Sequence, residues 1–386
     1  MKMFHLSDLH IGKQLHHYNL KTDQEHILKE IIQYAKAETP DVIVIAGDIY
    51  DKSIPSAEAV TVFDAFLTGL STALPSAAIM MIAGNHDSSE RLEFASGLLE
   101  NHRIYIEGIP PRTKDEYIKK VTIEDSYGPV HFYLLPFLKP GYVRQIFDEP
   151  VESYSEAVQK LVERESIDEQ ARNVLISHQF YTGAGNTTLT SDSEMVRVGG
   201  LDNVDTGCLQ PFDYVALGHI HTPQSIGREQ IRYCGSPLKY SVSERAQEKS
   251  VTVVELYERE HPVVLRTLPL HPLREIIKKT GRLQEILTEA KTEEREAYIS
   301  IVLTDEVIPA NPKEQLQAVF SNVLEIQVDN AQTRKIEEGY TEEIKLEDPL
   351  TTFQGFFREM QGRDLSEAEY QILLEVVEAD REGDEI

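Results

Sequence analysis

The sequence predicts an α/β fold, and three observations carry the prediction. Short β-branched segments, each closed by a turn signal, recur through the first two thirds of the chain. Amphipathic helical stretches lie between the early ones, the alternation expected of a sheet with helices packed on it. The 386 residues are 41% apolar, enough core for two or three domains and too much for wholesale disorder.

Taken in order, the strand-like segments are Met3–Ser7, Asp41–Ala46, Ala78–Ala83, Val130–Leu135, Asn173–Ser177, Tyr214–Leu217 and Val251–Leu256. A first helix is expected over Thr22–Glu38, with Thr22 and Glu25 spaced as a capping box and Ile27, Ile31, Tyr34 and Ala35 on one face. A second covers Ala57–Leu70 with a stripe of Val60, Phe63, Leu67 and Leu70; a third covers Glu90–Asn101 with Leu92, Ala95, Leu98 and Leu99. Composition changes after Leu270, and His271–Pro272 marks a boundary, because proline restricts itself and its predecessor. A compact α+β pattern follows over Leu273–Asp329: a helix near Leu283–Ala290, a strand at Tyr298–Leu303, a helix at Pro312–Phe320 and a strand at Val323–Val328. Glu337, Glu338 and Gly339 suggest a hinge, after which two amphipathic helices are expected at Pro349–Met360 and Ser366–Ala379, the second opened by a capping box of Ser366 and Glu369. The domain boundaries so expected are 1–270, 271–335 and 340–386.

The formal net charge is −27, from 65 acidic and 38 basic side chains. Residues 341–386 hold 14 acids and 4 bases, so a net of −10 sits in that tail and the other 340 residues carry −17. Bulk charge therefore argues against a protein that coats nucleic acid. Two cysteines, Cys208 and Cys234, are too few for a disulfide framework, and His5 and Asp8 interrupt the N-terminus before any leader-like apolar run; both point to the cytoplasm. No segment approaches the 18 or so apolar residues that span a bilayer, so no membrane partner is expected.

Five strand-like segments end in residues that bind metals. They give Ser7-Asp8-Leu9-His10, Gly47-Asp48-Ile49-Tyr50-Asp51, Gly84-Asn85-His86-Asp87, Ser177-His178 and Gly218-His219-Ile220-His221. In parallel α/β sheets the carboxyl ends of strands gather at one edge, where ligands bind. That edge would collect Asp8, His10, Asp48, Asn85, His178, His219 and His221. Each fragment alone also reads as a turn after a buried strand, or as an ordinary core or surface histidine. Five of them in series are not explained that way. Mixed carboxylate, amide and imidazole donors suit Mn²⁺, Fe²⁺ or Zn²⁺ better than Ca²⁺ or Mg²⁺. Seven ligands exceed the needs of one ion, and two ions about 3.5–4 Å apart can activate a water and hold both oxygens of a phosphoryl transfer.

The series D-x-H, G-D-x-x-D, G-N-H-D, a lone histidine and G-H-x-H resembles the calcineurin-like metallophosphoesterases. Its closest resemblance is to the DNA-repair nucleases of the Mre11 type, in the bacterial, SbcD-type branch. The opening H-L-S-D-L-H-I-G-K, the continuation through Tyr50 and Asp51, Ala83–Ser88 leading into an apolar stretch, Tyr233-Cys234-Gly235-Ser236-Pro237, and Glu244 through Lys249-Ser250 carry the likeness. Asp51 matches the bacterial branch, where archaeal and eukaryotic relatives have histidine.

The resemblance implies a metallophosphoesterase β-sandwich flanked by helices, with a small α+β capping domain that faces DNA and a C-terminal helical pair. It implies two Mn²⁺ ions, one on Asp8, His10, Asp48 and His221, the other on Asp48, Asn85, His178 and His219, with Asp48 shared. His86 would then be a catalytic residue protonating the leaving 3′ oxygen or stabilising the phosphorane, with Asp51 or Asp87 orienting its ring. The implied activity is a 3′–5′ exonuclease and single-strand or hairpin endonuclease in DNA repair, recombination and replication. The implied partners are DNA, a second copy through helices 57–70 and 90–101, and SbcC, a coiled-coil ATPase of the Rad50 type gripped by the C-terminal helices. Rival expectations are another hydrolase of the superfamily, a phosphatase or cyclic-nucleotide phosphodiesterase, and a non-catalytic scaffold. His16, His17 and Tyr18 receive no role, and the polar segment 179–200 is expected to be a mobile edge of the site.

Overall fold

The structure, a computed structural model, describes residues 1–183, 188–194, 202–331 and 333, with isolated positions between 353 and 373. Contacts divide the chain into two units, Met1–Val302 with Ala310–Gln327, and Leu303–Pro309 with Val328–Ile386.

The first unit is built on two six-stranded sheets. In chain order the strands are β1 Lys2–Leu6, β2 Val42–Ala46, β3 Ala78–Ile82, β4 Ile104–Glu107, β5 Lys119–Asp125, β6 Gly128–Leu135, β7 Arg172–Ser177, β8 Tyr214–Leu217, β9 Gln224–Ile226, β10 Arg228–Tyr233, β11 Ser250–Glu255 and β12 Val264–Pro269. One sheet runs β12-β11-β1-β2-β3-β4 and the other β9-β10-β8-β7-β6-β5. β1 to β4 are mutually parallel, in a register that sets Met3 opposite Val42, Val42 opposite Ala78 and Ile79 opposite Ile104. In the second sheet β6, β7, β8 and β10 are parallel neighbours. Parallel strands buried on both faces need continuous apolar runs, and Val42–Ala46 and Ala78–Ile82 are buried throughout.

Met3, Val44 and Met80 of the first sheet share one core with Phe132, Ile176 and Ala216 of the second, which makes the pair a sandwich. The outer face of the first sheet is covered by α1 Lys21–Glu38 and α2 Ala57–Ala73, and that of the second by α3 Tyr154–Arg164. The α/β sandwich with flanking helices is as the sequence predicted. After Leu270 come a three-stranded sheet in the order β13 Ile276–Gly281, β14 Tyr298–Leu303, β15 Asn322–Val328, and the short helices α4 Leu283–Thr288 and α5 Pro312–Gln317.

Three local expectations are corrected. α1 starts at Lys21 behind Leu20, which offers no side-chain cap, so Thr22 and Glu25 lie inside the first turn. Asn19 Oδ1 instead accepts the Lys21 N–H at 2.9 Å. α2 buries Ala59, Val62, Phe63, Phe66 and Leu70, which turns Val60 out to solvent. The helix expected at Glu90–Asn101 is broken into single turns at Ser89–Leu92 and Ser96–Leu99, because Ala95 between them has φ 64°. The Ser366–Glu369 capping box is present: Glu369 Oε2 accepts the Ser366 N–H at 2.9 Å and Ser366 Oγ accepts the Glu369 N–H at 3.4 Å. Most of the two tail helices otherwise lies outside the described residues, as do the suggested hinge at 337–339 and residues 184–187 and 195–200 of the expected mobile edge.

Candidate metal centre

The carboxyl ends of β1, β2, β3, β7 and β8 lie together, and the loops after β1, β2 and β8 leave their strands through sharp backbone turns. Asp8 (φ 52°), His10 (φ 42°), Asp48 (φ 49°) and His219 (φ 97°) occupy the left-handed region that L residues avoid. The turns are pinned by the main chain: Asp8 N donates to Gly47 O at 3.0 Å, His10 N to Asp48 O at 3.0 Å, and Ile11 N to Ile49 O at 2.9 Å. Strain of this kind persists where surrounding structure over-determines it.

These turns bring all seven expected ligands together. Asp48 Oδ2 stands 3.5 Å from His10 Nε2 and 3.4 Å from His178 Nε2, between the two imidazoles assigned to different ions. His221 Nε2 is 3.1 Å from His10 Nε2 and 4.0 Å from Asp8 Oδ1. Asn85 Oδ1 is 3.1 Å from His178 Nε2 and 2.9 Å from His219 Nδ1. Asp8, His10 and His221 form one group able to hold an ion, and Asp8, Asp48 and His178 another. Asp8, His10, Asp48, His178, His219 and His221 are all buried.

The donor set fits metal ions. Two imidazole nitrogens 3.1 Å apart, with Asp48 Oδ2 3.5 Å from one and Asp8 Oδ1 4.0 Å from the other, form a mixed nitrogen and oxygen donor set of the kind transition-metal ions take. Close approach is secured by glycine. A side-chain carbon on Gly84 would lie 2.1 Å from Asp48 Oδ1, one on Gly47 2.3 Å from His178 Nδ1, and one on Gly218 1.9 Å from Ala46 O.

Electrostatics divides the histidines. Burial lowers His10 well below the usual imidazole range and, helped by the charge of His178, brings His219 down to about 3. His178 is also desolvated, yet Asp48's charge and hydrogen bond outweigh that and push it up to about 9. Asp48, desolvated as well, is held well below the carboxylate range by His178, His10 and His86. Burial raises Asp8.

His86 borders the cluster, its ring edge-on to His10 with centroids 4.9 Å apart. The His86 main-chain N–H donates to Asp48 Oδ1 at 2.9 Å, and its ring Nδ1 lies 2.9 Å from the main-chain oxygen of Asp51. A carbonyl only accepts, so Nδ1 carries a proton and, in the neutral ring, Nε2 holds the lone pair. The orientation expected of Asp51 or Asp87 thus comes from the Asp51 main chain. The Asp51 carboxylate pairs with Lys13 at 2.8 Å and stands 3.6 Å from His10 Nδ1. The Asp87 carboxylate accepts main-chain N–H groups from Ile49, Tyr50 and Gly84 at 3.1, 2.9 and 2.9 Å, clamping two loops to each other; burial and the Asp48 charge push it up to about 6.

Although Glu244 and Lys249 are part of the family likeness, the sequence assigns no role to the residues behind His221. Ser193, Glu194, Glu244 and Lys249 contact it from segments 23 positions or more away. No spacing rule connects them; a glutamate and a lysine just ahead of a buried strand were the only further signal. Of the expected mobile edge, Phe180–Thr182 pairs in parallel with Asn203–Asp205.

Comparison with known proteins is consistent along the whole chain. Residues 1–223 match the family model described as calcineurin-like phosphoesterase, and residues 269–361 match the SbcD C-terminal model, described as type 5 capsule protein repressor C-terminal domain. The SbcD component of nuclease SbcCD from Staphylococcus epidermidis (strain ATCC 12228 / FDA PCI 1200) is 35% identical over 390 residues, spanning 99% of this chain and 100% of the relative. Among solved structures, GAP50, the anchor in the inner membrane complex of Plasmodium, is 12% identical with a TM-score of 0.45, covering 86% of this chain and 98% of its own. A dimetal phosphatase from Danio rerio is 13% identical with a TM-score of 0.41, covering 70% of this chain and 99% of its own.

Proposed function

Because the chain belongs to the calcineurin-like phosphoesterases, a metal-dependent hydrolase family, and shares its full length with an SbcD nuclease component, we propose that it is the Mn²⁺-dependent nuclease subunit of an SbcCD-type complex. The observation that carries this reading is the convergence of Asp8, His10, Asp48, Asn85, His178, His219 and His221 on one sheet edge with His86 beside them. Asp8, His10, Asp48 and His221 would hold one ion, and Asp48, Asn85, His178 and His219 the other. The ions, when bound, supply positive charge for a phosphodiester and acidify a water. The chain's own part is to exclude bulk solvent with its buried imidazoles, to hold Asp48 ionised between His10 and His178, and to present His86 Nε2 for proton transfer to the leaving 3′ oxygen. Asp51 fixes His86 through its carbonyl and faces His10 with its carboxylate.

The same reading assigns 3′–5′ exonuclease and single-strand or hairpin endonuclease action in DNA repair, recombination and replication, in the cytoplasm. Residues 1–270 would be the nuclease domain, 271–335 a DNA-facing cap, and 340–386 the element that grips the coiled-coil ATPase SbcC. A homodimer belongs to it too, supported by solvent-exposed Ile54, Val60, Phe94 and Leu98; the second of its two segments is a broken helix rather than a continuous one. With a charge of −27, the protein alone should hold DNA weakly.

The test incubates the protein and Mn²⁺ with hairpin DNA, a phosphoprotein or a cyclic nucleotide. Cleavage of the DNA, lost in His86→Ala with Mn²⁺ binding retained, is the expected result. No DNA cleavage even with the ATPase partner and ATP present would overturn the assignment.

A further inference from the structure

Two residues of the 188–194 segment hold His221. Ser193 Oγ lies 2.7 Å from His221 Nδ1 and 2.6 Å from Glu244 Oε1, while Glu194 Oε1 accepts the His221 main-chain N–H at 2.6 Å. Glu244 is fully buried and pairs at 2.6 Å with Lys249, also buried. Lys249 Nζ has three further acceptors around it: Gln247 Oε1 at 2.7 Å, Ser236 Oγ at 2.9 Å and His221 O at 3.0 Å. A nitrogen ringed by acceptors is an ammonium, and its buried partner is then a carboxylate.

These partners assign the protons. A carboxylate accepts and never donates, so the single hydroxyl proton of Ser193 goes to Glu244. The Ser193 oxygen is left with acceptor capacity only, so the proton between it and the ring belongs to His221 Nδ1. That tautomer leaves the Nε2 lone pair free on the side facing His10 Nε2, 3.1 Å away. His178 is set in the same sense by Ala46 O at 2.7 Å, a main-chain atom that no substitution removes. His221 depends on side chains from two other segments.

We propose that Ser193, backed by the Glu244–Lys249 pair, is a positioning residue that fixes His221 in its metal-binding tautomer and ties the 188–194 segment to the centre. Metal-ligating histidines generally owe orientation and basicity to such outer partners, whose loss weakens binding about 10–100-fold. The proposal rests on His221 being a ligand, and the test separates the two claims.

Mn²⁺ titration followed by electron paramagnetic resonance is run on the full chain and on Ser193→Ala, Ser193→Thr, Ser241→Ala and His221→Asn, with thermal unfolding of each without metal. Ser193→Ala should weaken one Mn²⁺ about 10–100-fold, and Ser193→Thr, which keeps the hydroxyl, should restore it. Ser241 Oγ donates to the same Glu244 oxygen at 3.0 Å without touching His221, so Ser241→Ala should stay within about twofold of the parent. If Ser193→Ala does not fold, Ser193→Cys, a weaker acceptor of similar size, gives the same ordering in milder form. Wild-type affinity in Ser193→Ala (or in Ser193→Cys, where that stands in), alongside loss of an ion in His221→Asn, overturns the relay and leaves the ligand assignment intact. Equal weakening in Ser241→Ala overturns it in favour of general packing. Full Mn²⁺ binding in His221→Asn overturns the ligand assignment and the relay together.

Discussion

His5 makes the protein acid-sensitive in a way that can be worked out in advance. It lies on β1, facing the core between the two sheets, fully buried, with Nδ1 2.9 Å from the Tyr214 hydroxyl. Its Nε2 has no partner among the described residues, and neither has the hydroxyl of Thr252, its neighbour across the strand pair. Desolvation, with the charge of Arg232 second, lowers the imidazole from 6.5 to about 3. An unfolded chain therefore binds one more proton than the native one between those values, and stability falls as pH drops through that window. Above pH 6.5 the contribution is complete. By pH 5 the loss is about 2 kcal/mol, from 1.36 kcal/mol per unit over the 1.5 units below 6.5. The perturbation is His5→Gln, which keeps a polar side chain and does not titrate. Urea unfolding of parent and variant in EDTA, at pH 8 and pH 5, gives two stability differences. The parent should lose about 2 kcal/mol relative to the variant between them. A difference constant to within about 0.5 kcal/mol would refute the argument, since a neutral buried imidazole must resist protonation.

Gly84→Ala should release metal and destabilise the fold by about 1–3 kcal/mol, because the new carbon would meet Asp48 Oδ1 at 2.1 Å and the less movable Asp48 N at 2.3 Å; thermal unfolding and Mn²⁺ titration check it. Metal uptake should release a proton at neutral pH, since burial of His178 is outweighed by Asp48 and its imidazole is pushed up to about 9. Calorimetry in buffers of different ionisation heat measures that proton, and affinity should rise with pH. Glu107 is pushed up to about 7 by burial and then by Glu93, so the native state holds its proton where an unfolded glutamate has lost it. Stability from that group is present below pH 4.5 and lost as pH rises through 7. Glu107→Gln should therefore stabilise the protein at pH 8 by about 1–2 kcal/mol, after discounting for partial exposure, and not at pH 4.

The central strands were legible because burial on both faces forces unbroken apolar runs, as in Val42–Ala46. Lys119–Asp125, Arg228–Tyr233 and Val264–Pro269 were not, since these strands at or near the sheet margins bury only alternate or scattered residues among charged ones. Tyr154–Arg164 went unread although Ser153 caps it, accepting the Glu156 N–H. The break at Ala95 had only a weak signature, Gly97 two residues on, while the misplaced start of α1 reflects a local competition that Asn19 wins. The candidate ligands were legible because each follows its strand within a few residues, so sheet order alone assembles them. Ser193, Glu244 and Lys249 were not: their meeting at His221 depends on how loops from distant segments pack, which no periodicity records.

The left-handed backbones at Asp8, His10, Asp48 and His219 have a consequence for how such a chain can be inactivated. Glycine at any of the four would relieve roughly 1 kcal/mol or more of backbone strain, but at Asp8 and Asp48 it would also remove carboxylates that accept the His219 and His86 main-chain N–H groups and, at Asp48, face His178. The two effects oppose each other, so the metal-free fold gains little by losing these carboxylates, whereas alanine at the same places loses the hydrogen bonds and keeps the strain. For an experimenter, Asp8→Asn and Asp48→Asn, which keep an acceptor oxygen and tolerate the left-handed region, are the gentlest replacements at these positions, although the second gives up the charge facing His178.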